Sequence, residues 1–175
     1  MSEMTHAPDG SHAGDDPAIF AFERDFADSL RCIPMSVRLK LDSVGIKLSL
    51  KHWNRLPAAE RSRLLHLPCE AAAQREAFRQ ELVQMLQGQA GAPPRTLPVE
   101  PQPPWEEQHQ VPEQLQAYLA QLQLPALSLA QWRALRPVQR FALLKLSRPA
   151  HDNDNFVPAL REFGLLPAQP RRAGR

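Results

Sequence analysis

Two thiols and one polar loop are where side-chain type and spacing in this 175-residue chain suggest reactivity or recognition. Cys69 follows Pro68 and precedes a run of helix formers beginning at Glu70. A thiol at the start of a helix can have a lowered pKa and become a nucleophile or a metal ligand. Against this stands the buried, inert thiol, which is the commoner state of a free cysteine. Cys32, flanked by Leu30 and Ile33, leans further toward burial. Two cysteines are too few for a self-contained structural zinc site, and in a reducing cytosol they are expected as thiols and not as a disulfide. The polar loop reads Ser147-Arg148-Pro149, then His151, Asp152, Asn153, Asp154 and Asn155. A guanidinium, an imidazole, carboxylates and amides gathered this closely can hold an anion or a partner's carboxylate. Equally, Asn and Asp there can simply cap a helix beginning near Phe156, and both readings stand open.

Other chemistry is poorly provided for. The chain has no Gly-rich phosphate loop, no paired-His metal motif, no Gly-x-Ser-x-Gly elbow and no Cys-x-x-Cys pair, and seven glycines leave little material for tight ligand turns. A stand-alone enzyme is therefore not expected, and no cofactor is implied. Net charge is only +2, with acids and bases interspersed, so no global field argues for nucleic acid or an anionic membrane. Lys47, Lys51, Arg55, Arg61 and Arg63 could serve as phosphate contacts of a helix-turn-helix-like unit, but Glu60 dilutes them and the concentrated patch that DNA binding needs is missing. The N-terminus lacks a basic region followed by an apolar run, and no stretch approaches the roughly 20 apolar residues of a membrane span. A soluble, cytoplasmic protein is the expectation.

The elements that must position these residues are organised by a pattern that occurs twice. Leu48-Ser49-Leu50, Trp53, Leu56, Arg61, Leu64-Leu65 and Leu67 return as Leu127-Ser128-Leu129, Trp132, Leu135, Arg140, Leu143-Leu144 and Leu146, every pair 79 residues apart. A Leu-rich composition does not align nine positions by accident, so internal duplication is inferred. The fold class expected is all-α: a duplicated helical domain whose two similar multi-helix repeats are joined by a Pro-rich connector. Repeat one spans 19–88, the connector 89–110 and repeat two 111–164, together one domain, since repeats of this size are marginal alone. Residues 1–18 read as a disordered acidic tail and 165–175 as a basic one. Trp53 and Trp132, duplicated at helical spacing from Leu50, Leu56, Leu129 and Leu135, read as core and not as ligand platforms.

Within the repeats, Phe20 and Phe22 alternate while Phe22, Phe26 and Leu30 recur every four residues, which predicts a short extended lead into a helix buried against repeat one. Pro34 starts the next helix, Val37, Leu41 and Val44 give it an apolar stripe, and Gly45 supplies a left-handed stop. Ser49 is an expected N-cap, Pro57 restarts the chain, and the segment after Glu70, with Phe78, Leu82, Met85 and Leu86 on one side and Gly88 as C-cap, is the longest helix. Val111-Pro112, Leu115 and Leu119 replay Ile33-Pro34, Val37 and Leu41 at an offset of 78, as Phe156 and Leu160 replay Phe78 and Leu82, with Gly164 as the last stop. Between the repeats, Pro93-Pro94 and Pro103-Pro104 favour polyproline II. Trp105 predicts that Leu97 to Trp105 is anchored across one repeat and is not a free linker.

Several long runs of unusual composition carry a resemblance. Phe20-Ala21-Phe22-Glu23, Asp25-Phe26, Ser29-Leu30-Arg31-Cys32-Ile33-Pro34-Met35, Lys40-Leu41-Asp42 and Gly45-Ile46-Lys47-Leu48 come first. Pro68-Cys69, Pro103-Pro104-Trp105, Gln139-Arg140-Phe141-Ala142-Leu143 and Lys145-Leu146-Ser147-Arg148-Pro149 follow, with His151 and Asn155-Phe156. From about Phe20 to Phe163 the chain resembles the nitrate reductase associated protein family of bacteria, including cyanobacteria. The resemblance implies a non-catalytic accessory protein needed for the activity or maturation of assimilatory nitrate reductase, with that enzyme as partner. Arg31, Cys32, Cys69, Arg148, His151 and Asn155 are the candidate partner-binding residues, being polar or reactive without an obvious core duty. Readings of other classes are a nucleic-acid-binding regulator and a small metal or redox carrier using the two thiols.

Overall fold

A computed structural model describes residues 18–26, 29–89, 91, 93–149 and 153–168, and within them the protein is mostly helical. In chain order the helices are α1 (Met35–Ser43), α2 (Leu50–Arg55), α3 (Ala58–His66), α4 (Ala72–Leu86), α5 (Glu113–Gln121), α6 (Leu129–Ala134), α7 (Pro137–Leu146) and α8 (Phe156–Glu162). The expected starts and stops are realised. Ser49 Oγ accepts the amide of His52, and Ser128 Oγ accepts that of Gln131, whose own side chain reaches back to the Ser128 amide at 2.9 Å. Gly45, Gly88 and Gly164 all adopt positive φ at helix ends. The longest helix is α4, as its run of strong helix formers implies.

The architecture departs from a purely helical one in a two-stranded antiparallel sheet, β1 (Ile46–Lys47) with β2 (Arg95–Thr96). Its cause is local. Gly45 turns the chain out of α1 at φ +68°, and its carbonyl then accepts the amide of Leu97 at 2.8 Å. A Cβ on Gly45 would stand 2.4 Å from the Leu97 carbonyl oxygen, so only glycine lets the incoming strand approach. At the matching position after α5, Gln123 takes φ +55° instead.

Apolar side chains gather in two clusters. One draws on Ile19 to Leu82 and centres on Val37, Trp53, Leu64, Phe78 and Leu82; the other draws on Leu115 to Leu160 and centres on Trp132, Leu143, Phe156 and Leu160. The two tryptophans are fully buried. Their indole N–H groups make comparable bonds to the chain that leads into each half, Trp53 Nε1 to the Leu30 carbonyl at 2.6 Å and Trp132 Nε1 to the Glu107 carbonyl at 2.7 Å. The arginines that recur with them act alike. Arg61 donates to the carbonyls of Ser29 and Leu30, and Arg140 donates through Nε to that of Trp105. Burying an indole leaves its one donor in need of an acceptor, and a loop carbonyl supplies it.

The lead-in around Phe20 differs from expectation. Ala21–Phe26 forms a 3-10 helix, and where the sequence predicts burial against repeat one it packs on α8, with Phe22 set against the second cluster. Phe20 and Phe22 stack at 5.2 Å between centroids, and both meet Phe163 edge-on. The backbone explains the geometry: the amides of Ala21 and Phe22 donate to the Glu162 carboxylate, and that of Phe20 to Glu23, which satisfies the orphan donors of a short 3-10 turn. A four-residue hydrophobic repeat cannot reveal an acid 140 residues away.

Candidate functional site

A groove of about 610 Å³ opens where α1, β1 and the strap from Leu97 to Trp105 meet α7. Its apolar floor owes its shape to Trp105, whose ring stands edge-on to Phe141 at 5.0 Å while its carbonyl accepts Arg140 Nε at 2.7 Å. The anchoring expected of Trp105 is thus made on α7. Across the groove, α1 and α7 are joined by an ion pair between Asp42 and Lys145 at 2.7 Å, and Lys145 also lies over the Phe141 ring. This pair is only partly exposed, so it is less screened than a surface bridge and fixes one helix against the other. Arg38 holds the near wall by donating Nε to the Ile33 carbonyl at 2.9 Å.

Two of the residues singled out from the sequence, Cys32 and Arg148, line this groove from opposite halves of the chain. Cys32 is half-buried there, and Arg148, on the turn leaving α7, is exposed. Arg31 and Asn155 are exposed outside the groove lining, while His151 lies outside the described residues. Asn155 occupies the cap position of α8 as expected for a helix beginning at Phe156, yet its side chain makes no capping bond, because residues 153–155 wind into α8 as a 3-10 turn with helical backbone angles. Capping by Asn155 is therefore not what this residue does.

Cys69 is elsewhere. It is buried at the exit of α3, and burial pushes its thiol pKa up, against the pull of Lys40 and Arg75. A neutral thiol at physiological pH is the consequence, which is the inert outcome of the two considered for a cysteine at that position. Beside it, Lys40 Nζ donates to the carbonyls of Leu64, Leu65 and Leu67 at 3.2, 2.7 and 2.6 Å. Those are unpaired acceptors at the C-terminal end of α3, where a cation is also favoured by the helix dipole. Burial lowers the Lys40 pKa. Both cysteines are free thiols, and among the described residues no three His, Cys, Asp or Glu side chains come together as a metal site.

The bases suggested as phosphate contacts are also partly accounted for. Arg61 is turned onto the carbonyls of Ser29 and Leu30, and Arg63 pairs with Glu81 at 2.8 Å. Sequence reasoning passed over Asp42, Lys145 and Glu23 as working groups. The signal available was a charge set within an apolar run: Glu23 among Phe20, Phe22 and Phe26, and Lys145 between Leu144 and Leu146. Glu23 is almost fully buried, accepts the amides of Phe20 and Met35, and has a pKa raised to about 7, chiefly by desolvation. The nearby Glu162 carboxylate adds to the rise, and Arg38 opposes it.

Among the described residues, no helix is long and apolar enough to cross a membrane. Residues 19–163 match the family model of conserved nitrate reductase-associated proteins. No curated protein and no solved structure matches the chain. With most of its length covered, the chain belongs to the nitrate reductase-associated protein family.

Proposed function

From that membership, we propose that the protein is a cytoplasmic, non-catalytic accessory factor that associates directly with assimilatory nitrate reductase and is needed for its activity or maturation. The observation that carries this reading is the family match itself, over residues 19–163, joined to an open groove lined by Cys32 and Arg148. Arg31, Arg148 and Asn155 are accessible for contact, Cys32 is reached through the groove, and His151 belongs to the same polar loop. Cys69, buried in the first apolar cluster, is not placed for direct contact. The frame on which these residues sit is read as an internally duplicated unit spanning 19–164, its halves joined by the Pro-rich stretch 89–110. The matched tryptophan and arginine contacts support that reading.

Deleting the gene in its host and comparing growth on nitrate, nitrite and ammonium tests the function. Growth should fail on nitrate alone, because nitrite enters assimilation after the reductase; failure on nitrite as well indicates a regulator of the whole pathway. Rescue by the wild-type gene should be lost with Arg148→Ala and His151→Ala. The melting temperature of Arg148→Ala should stay nearly unchanged, since exposed loop substitutions usually alter stability by less than about 0.5 kcal/mol. Normal growth of the deletion strain on nitrate removes the proposal.

A further inference from the structure

We propose that the groove between α1 and α7 is a peptide-docking site, and that its occupant is a partner segment carrying large apolar side chains next to carboxylates. Five large hydrophobic side chains are exposed among the described residues; two of them, Leu50 and Leu97, line this groove, and a third, Val99, lies beside its lining residue Gly45, each about half exposed. Leu50 lies on the first turn of α2, while Leu97 and Val99 follow β2 and are presented by the tight approach of that strand to Gly45. Scattered exposed leucines need no explanation, but two lining one cavity floored by Trp105, with an exposed valine beside it, are what an apolar anchor requires.

Charge selects the rest of the occupant. Four cations and two carboxylates line the groove, a net of +2. Asp42 is already neutralised by Lys145 at 2.7 Å, and Arg38 faces inward to the Ile33 carbonyl. Lys47 and Arg148 remain exposed on opposite walls, opposed only by Glu100. A segment with carboxylates flanking its apolar anchors meets both demands, the arginine offering the planar fork that matches a carboxylate. A basic segment would set like charges against both walls. The inference rests on the association proposed above only for the identity of the protein that carries the segment.

The test is selection of a random dodecapeptide phage library on the immobilised full-length protein, followed by binding of the enriched peptides as synthetic, labelled probes. Enriched sequences should pair Leu, Phe or Trp with Asp or Glu. Their affinity should fall at least tenfold with Leu50→Asn/Leu97→Asn, fall similarly with Lys47→Glu/Arg148→Glu, and decline as salt is raised. All four positions are exposed, and unchanged helical spectra and melting curves exclude unfolding as the cause. Failure to enrich any sequence, enrichment of peptides without acids, or binding indifferent to both double variants overturns the docking site. If the protein binds the peptides but not nitrate reductase, the site stands and the functional reading above fails.

Discussion

Trp53→Ala and Trp132→Ala should each destabilise the protein by about 3 to 5 kcal/mol, because both rings are fully buried and their removal leaves a large cavity. That is a large part of the roughly 5 to 15 kcal/mol that holds a domain of this kind together. The loss has two components, and a second substitution separates them. Trp53→Phe keeps most of the apolar volume but deletes the bond from Nε1 to the Leu30 carbonyl, which still accepts Arg61 at 3.0 Å. The acceptor is not orphaned, so the cost of that change should be nearer 1 kcal/mol plus the smaller volume loss. In the second half, Trp132 Nε1 is bonded to Glu107 while Arg140 serves Trp105, so Trp132→Phe should cost more than Trp53→Phe. Urea unfolding of the four variants measures all of this. Alanine variants within about 1 kcal/mol of wild type would mean the tryptophans do not anchor the two cores.

The same two residues show how much of the fold was legible. Trp53 and Trp132 lie in local patterns of 3.6-residue period, so their burial, the Ser49 and Ser128 caps and the glycine stops could be read from neighbours a few residues away. What resisted reading was contact between distant segments. The 3-10 lead-in is held by Glu162, β1 pairs with β2 across nearly fifty residues, and Asp42 meets Lys145 from the other half. None of these leaves a periodic trace. The candidate site divides the same way: Cys32 and Arg148 were identified by residue type, but only the packing of α1 on α7 brings them to one groove, while Cys69 is buried separately in the first cluster.

Glu23→Gln is expected to reverse its effect on stability with pH. The Glu23 carboxyl has a folded-state pKa raised from 4.5 to about 7, so between those values the folded protein holds a proton that the unfolded chain has released. Stability linked to this group is therefore fully present below pH 4.5, is lost as pH rises toward 7, and stays lost above it. A shift of this size corresponds to a differential of the order of 3 kcal/mol. Glutamine stays neutral throughout, but it offers one acceptor oxygen where the carboxyl receives the amides of both Phe20 and Met35. The variant should be less stable than wild type at pH 4, by about 1 kcal/mol for the weakened bond, and more stable by about 1 to 2 kcal/mol at pH 8. Denaturant unfolding of both proteins from pH 4 to 8 reads the difference directly, which cancels the other titrating groups. Parallel curves would mean that the carboxylate is not desolvated between the 3-10 helix and α1.

Direct association with nitrate reductase is the claim on which the functional account depends, and sedimentation velocity of the two purified proteins mixed at increasing concentration tests it most directly. The account predicts a saturable complex with a dissociation constant in the micromolar range or tighter, corresponding to at least roughly 8 kcal/mol of binding free energy, and a marked weakening with Arg148→Glu. Independent sedimentation of the two proteins at tens of micromolar, with nitrate reductase in its apo as well as its mature form, would contradict it.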